Sequence, residues 1–155
     1  MSKAESALLD MGITLPEAPK PVAAYLPVRI AGGLAFVSGQ IPMRDGVLLA
    51  SGPVPSSVSP DDAATAARCC AINALAALRE ALGGDLDRIT GVLRVGVFVA
   101  SDVDFHGQPA IADAVSTLLV EVFGEAGRHA RAAVGSVSLP LGATVEVEMV
   151  LELGG

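Results

Sequence analysis

The stretch SPDDAATAARCCAINALAALREALGG, Ser59 to Gly84, runs into DLDRITGVLRVGVFVA, Asp85 to Ala100, and the pair decides the fold class. The first half reads as a long helix. Ser59 suits the N-cap, Pro60 the first helical position, and Asp61 and Asp62 the positive end of the helix dipole. Apolar residues then recur through Ile72, Leu75, Leu78 and Leu82 at helical spacing, and Gly83-Gly84 stops the run. The second half alternates like a strand. Leu93, Val95, Val97 and Val99 are predicted to share one face, and Val92, Arg94, Gly96 and Phe98 the other.

Upstream, Ala4 to Met11 reads as a short helix, followed by a Pro-rich connector ending in Pro19-Lys20-Pro21. Residues 1–21 are therefore expected to be an N-terminal extension and connector, and residues 22–155 the main domain. A strand from Ala23 to Ile30, the Gly32-Gly33 turn and a strand from Leu34 to Ser38 form a hairpin signal. Gly39-Gln40 ends that pair, and Val47 to Leu49 reads as a third short strand after Asp45-Gly46. Downstream, Pro109 to Phe123 reads as a second helix. Its buried stripe is Ile111, Ala114, Val115, Leu118, Val122 and Phe123, and Gly124 bounds it. Strands from Ala130 to Ser138 and from Thr144 to Leu151 follow, separated by Pro140-Leu141-Gly142. The order β-β-β-α-β-α-β-β predicts an α/β (α+β) domain of two layers, with two helices on one face of a sheet. The other face needs cover, and self-association supplies it.

Composition narrows the function classes. The chain has 155 residues, enough for one domain with a core that needs neither disulfide nor metal. It is 52% hydrophobic but only 3% aromatic, so the core is built from small, closely packed side chains. The net charge of −7 argues against a broad grip on a phosphate backbone, so no nucleic-acid partner is expected. No apolar run approaches the ~20 residues of a membrane helix, and Met1 to Asp10 lacks the apolar core of a signal peptide, so a cytoplasmic protein is expected. Cys69 and Cys70 are adjacent; neighbouring helical positions diverge, so a disulfide between them is strained and two reduced thiols are expected. No zinc spacing, P-loop, dinucleotide fingerprint or Ser-His-Asp order is present, and neither metal nor cofactor is expected.

The residue most able to carry chemistry is Arg131, in His129-Ala130-Arg131-Ala132-Ala133. Its planar fork matches a carboxylate through two hydrogen bonds, each contributing roughly 1.5–3 kcal/mol. His129, Arg131 and Ala133 are predicted to share a face, and the small neighbours leave room for a ligand. The alternative is a structural arginine paired to a surface acid. Glu146 and Glu148, two residues apart, share a face; they read either as a solvated face or as a base with a carboxyl pushed up by its neighbour. Tyr25, the single tyrosine, reads as packing or as a pocket wall. Ser38-Gly39 ends a strand where backbone N–H groups are open to a ligand.

Together these segments resemble the reactive-intermediate deaminase family, RidA/YjgF, some members of which carry the label endoribonuclease L-PSP. The matching residues are Tyr25; Phe36-Val37-Ser38-Gly39-Gln40-Ile41-Pro42; Val97-Phe98-Val99 with Asp104-Phe105; and His129-Ala130-Arg131 through Leu139-Pro140 to Val145-Glu146-Val147-Glu148. The resemblance implies a chorismate-mutase-like fold with one mixed sheet, a homotrimer, and ligand clefts between subunits. It implies that Arg131 binds the carboxylate of an enamine or imine. A water held by Glu146 then attacks the imine carbon, releasing ammonia and a 2-oxo acid. Tyr25, Ser38, Gly39 and Ala133 match the pocket wall, and no metal or cofactor is implied. Ala133 stands where many active members have cysteine, Ala132 replaces a frequent Ser or Thr, and Val103 replaces an asparagine. Non-catalytic binding of small carboxylates in the same cleft is the alternative function.

Spacing adds one inference. Were the last two strands hairpin partners, Arg131 would lie about six residues, or ~20 Å, from Glu146 along the sheet. Joint action therefore requires strands that are not partners, or residues from two subunits.

Overall fold

The computed structural model describes residues 1–20 and 23–155; Pro21 and Val22, where the connector is expected to end and the main domain to begin, lie outside the described residues. The chain runs α1 (Lys3–Asp10), β1 (Val28–Ala31), β2 (Leu34–Gln40), β3 (Met43–Arg44), β4 (Val47–Leu48), α2 (Pro60–Ala81), β5 (Ile89–Ala100), α3 (Gln108–Phe123), β6 (Ala130–Ser136) and β7 (Val145–Leu153). The main sheet has the order β1-β2-β7-β5-β6, and β3 and β4 form a separate small hairpin. Among the described strands of the sheet, only β5 and β6 pair in parallel, α3 making the crossover between them. The sheet is therefore mixed, and α2 and α3 cover one of its faces, as the sequence predicts.

The last two strands are not hairpin partners. β7 enters the centre of the sheet between β2 and β5, and β6 takes the outer edge. Alternation along β7 makes the two faces. Val145, Val147, Met149 and Leu151 are buried beneath the helices, while Glu146, Glu148, Val150 and Glu152 point to the open face. Val95, Val97 and Val99 on β5 and Ala35 and Val37 on β2 extend the buried layer. The small side chains are placed where closeness is needed: Ala63, Ala66, Ala67, Ala71 and Ala74 of α2 are all buried. Ser59 caps this helix, its hydroxyl accepting from the Asp62 N–H at 3.1 Å.

Several boundaries differ from the sequence expectation, each for a local reason. The first strand begins at Val28, not Ala23, since Pro27 has no N–H to give a ladder. Val47–Leu48 pairs with Met43–Arg44 across Asp45-Gly46, a hairpin where one strand is expected. On β5 a register shift between Val92 and Arg94 reverses the alternation. Val92 is thereby buried with Val95, Val97 and Val99, and Leu93 is exposed, the reverse of the expected assignment. On α3, Ala112 and Leu119 are buried in place of Ala114 and Phe123.

The N-terminal helix docks on the same core. Ser2 and Glu5 form a capping box, and the Asp87 carboxylate accepts from the Lys3 and Ala4 N–H groups at 2.8 and 3.1 Å. Glu5 also pairs with Arg79 of α2 at 2.6 Å, and Leu8 is buried. Cys69 and Cys70 are free thiols inside α2, and burial pushes both up.

Leu118 of α3 is fully buried in this core. Leu118→Ala is expected to lower unfolding stability by about 2–5 kcal/mol in urea denaturation, with the denaturant slope unchanged.

Candidate functional site

The residues singled out in the sequence fall into two groups. The first gathers where β2 leaves the sheet. Between Val37 and Gln40 the β2–β7 register shifts, so Ser38 and Gly39 bulge out of the ladder. Gly39 lies against the side chain of Glu146, so closely that a Cβ there would overlap the carboxylate. Ser38 spends its donors on the preceding segment: its hydroxyl donates to the Leu26 carbonyl at 2.6 Å and its N–H to the Pro27 carbonyl at 2.9 Å. Its backbone N–H is therefore not free for a ligand, contrary to the sequence expectation. Instead Ser38 ties down the turn that carries Tyr25. Tyr25 is half exposed and lines, with Gly39, Gln40, Asn73 and Leu141, a cavity of about 360 Å³.

Glu146 is half-buried, and Glu148 shares its face two residues on. Burial, and then the Glu148 charge, push the Glu146 carboxyl above the ordinary glutamate range.

The second group lies on β6. Arg131 pairs with Val95, whose side chain is buried under the helices, so Arg131 also points to the helix side. There its Nη1 donates to Asp113 Oδ1 at 2.9 Å and to Ser116 Oγ at 3.1 Å, and its Nη2 donates to the Pro109 carbonyl at 3.4 Å. The paired acid of the alternative reading is thus present, although Asp113 is 68% exposed and Arg131 23%. Ala133 sits two residues along on the same face, half-buried.

One chain does not join the two groups. Glu146 lies opposite Phe98, and Phe98 lies opposite Val134 of β6. Arg131 is therefore three residues along and two strands across from Glu146, which is roughly 10 Å in each direction, and it faces the other side of the sheet. The sequence reading missed Asp113 and Ser116. Their signal is a polar pair at i, i+3 on a helix otherwise striped with apolar residues. Among the described residues, no three His, Cys, Asp or Glu side chains group closely enough to hold a metal ion, and no helix is long and apolar enough to cross a membrane.

With this geometry in place, the similarities of the chain have a structural meaning. Residues 5–153 match the family model described as "YjgF/chorismate_mutase-like, putative endoribonuclease". Protein TCP17 of Trypanosoma cruzi is 41% identical over 147 residues, covering 94% of this chain and 91% of that protein. The crystal structure of Atu1372, a protein with unknown function from Agrobacterium tumefaciens, is 43% identical with a TM-score of 0.92, covering 98% of this chain and 93% of that one. A Shewanella oneidensis protein, named a "putative endoribonuclease", is 33% identical with a TM-score of 0.92, covering 97% and 99%. The layers and sheet order define a chorismate-mutase-like α+β protein. The chain belongs to the YjgF/RidA family.

The raised Glu146 carboxyl has a measurable consequence. A carboxyl pushed up in the folded state binds more protons than in the unfolded chain, so stability falls as pH rises through that window. Glu146→Gln is expected to raise the thermal midpoint at pH 8 but not at about pH 3.5, below the usual carboxylate range. Thermal scans at the two pH values check this; an equal change at both would show that ionisation of Glu146 carries no such cost.

Proposed function

We propose that this protein hydrolyses small 2-enamine or 2-imine carboxylates to 2-oxo acids and ammonia, in a cleft completed by a second subunit of a homotrimer. The observation that carries the intersubunit reading is the opposition of Arg131 and Glu146 across the sheet of one chain. One small substrate meets both only if they come from different copies. The uncovered face supports association: Phe36 and Val134 are 43% and 46% exposed there, among Arg29, Arg94 and the glutamates of β7. Family membership supports the reaction class.

In this reading Arg131 of one subunit holds the substrate carboxylate and fixes the imine carbon relative to a water. Glu146 of the next subunit accepts a proton from that water as its oxygen bonds to the carbon. An enamine first takes a solvent proton on carbon to become the protonated imine. After water attack the same carboxyl returns its proton to nitrogen. As the C–N bond breaks, the hydroxyl proton passes to Glu146 and on to the departing ammonia, leaving the C=O. A carboxyl raised above its usual range suits these transfers. Tyr25 and Gly39 wall the pocket on the Glu146 side, Ser38 holds the Tyr25 turn, and Ala133 lies beside Arg131. No cofactor enters any step. The substrate side of the cleft is lean, with Ala132 and Ala133 beside the arginine. That favours carboxylate binding without turnover as the second reading.

The test uses freshly generated 2-aminoacrylate, following pyruvate and ammonia. Wild type is expected to exceed buffer, and Arg131→Ala and Glu146→Gln each to lose about 100-fold or more in kcat/KM. Coexpressing the two variants is expected to restore about a quarter of wild-type activity, because a random mixture places an intact Arg131 beside an intact Glu146 in one cleft of four. No recovery would place the site within one chain. Calorimetric binding of pyruvate without any turnover would select the second reading. Light scattering is expected to give three times the chain mass of 15.6 kDa.

A further inference from the structure

Behind Arg131 stands a chain of hydrogen bonds that the deamination reading does not use. Ser116 Oγ lies 2.9 Å from His129 Nε2, and His129 Nδ1 lies 2.7 Å from the Gly127 carbonyl. The carbonyl at one end fixes the first direction, and the others follow for a neutral ring. A carbonyl only accepts, so Nδ1 carries the hydrogen. In the neutral ring Nε2 then accepts, so the Ser116 hydroxyl donates to it. The hydroxyl oxygen turns its lone pair toward Arg131 and accepts from Nη1 at 3.1 Å. The series runs from guanidinium to serine to imidazole to a backbone carbonyl, with no conflicting donor.

Its far end is rigid. Gly127 is buried, and a Cβ there would lie 2.2 Å from the Leu119 carbonyl oxygen of α3. Only glycine fits that approach, so the carbonyl that anchors His129 is locked to the helix that carries Asp113 and Ser116. Asp113 takes the other Nη1 hydrogen and the Pro109 carbonyl takes one from Nη2. Nε and the second Nη2 hydrogen carry no partner among the described residues. The Nε–Nη2 edge of a guanidinium is one of the two that grip a carboxylate with parallel bonds.

We propose that Ser116 and His129 are positioning residues which, with Asp113, hold the Arg131 guanidinium by Nη1 so that its Nε–Nη2 edge is presented to the ligand carboxylate. This rests on the carboxylate-binding reading of Arg131. The gain is preorganisation: a long side chain that would otherwise sample many rotamers is already set before the ligand arrives.

The experiment has two arms. In the first, nitrogen NMR of the wild-type protein at neutral pH reads the His129 tautomer without any ligand. The Nδ1–H form is expected; the Nε2–H form would overturn the relay whatever the protein binds. In the second, calorimetry measures pyruvate affinity. Ser116→Ala and His129→Phe are each expected to weaken it roughly 3- to 10-fold, the loss of one hydrogen bond's worth of ordering, and Ser116→Thr, which keeps the hydroxyl, to restore it within about twofold. If Arg131→Ala abolishes binding while Ser116→Ala and His129→Phe bind like wild type, the positioning role fails and the carboxylate reading stands. If wild type and Arg131→Ala are indistinguishable, the carboxylate reading fails, and the positioning role with it.

Discussion

The pairing of β7 with both β2 and β5 is the constraint on which the rest of the structure depends. It sets nine residues, Val145 to Leu153, in the middle of the sheet and hands each alternate side chain to a fixed face. The aliphatic half of the strand seals the core beneath α2 and α3. The other half puts Glu146, Glu148 and Glu152 on the open face. With β7 central, β6 is left to the edge beyond β5, and Arg131 to the helix side of that edge. The separation of the two candidate groups therefore follows from one topological choice.

That choice was only partly visible in the sequence. The helices were legible because their signals are local: Ser59 and Pro60 open α2 where expected, and Gly124 closes α3. The two-layer class followed from the order of elements. Strand neighbours are a long-range property, and neither the parallel partnership of β5 with β6 nor the insertion of β7 was written in any one segment. The β5 bulge shows a second limit. Leu93 and Val92 are interchangeable by periodicity, and only pairing against Leu151 and Val150 decides which is buried.

The candidate residues divide in the same way. Tyr25, Ser38, Gly39 and Glu146 are the residues that the family resemblance points to, and the fold gathers them at the β2 bulge. Arg131 was recognised too, but its surroundings were not. Asp113 and Ser116 reach it from a helix that reads, along the sequence, as an apolar stripe with ordinary polar interruptions. His129 lacked an evident partner in the sequence because its partner lies thirteen residues upstream on α3. Ser38 does not offer its N–H outward: the Pro27 carbonyl takes that N–H, and the Leu26 carbonyl takes the Ser38 hydroxyl. Local geometry of this kind depends on how a loop returns to its strand, and residue types alone do not specify it.

The central place of β7 also shapes how the molecule is assembled in time. Leu34 meets Glu152 and Gln40 meets Val147, contacts that close loops of more than a hundred residues. The entropy of such closure is lost before the reward of pairing is collected, so the search for this sheet is slow compared with the formation of α2. Until β7 arrives, β2 and β5 each expose an unpaired edge, with the apolar faces of Val37 and Val97 beside it. The interval before that closure is the one in which the chain is most prone to pair with a stranger.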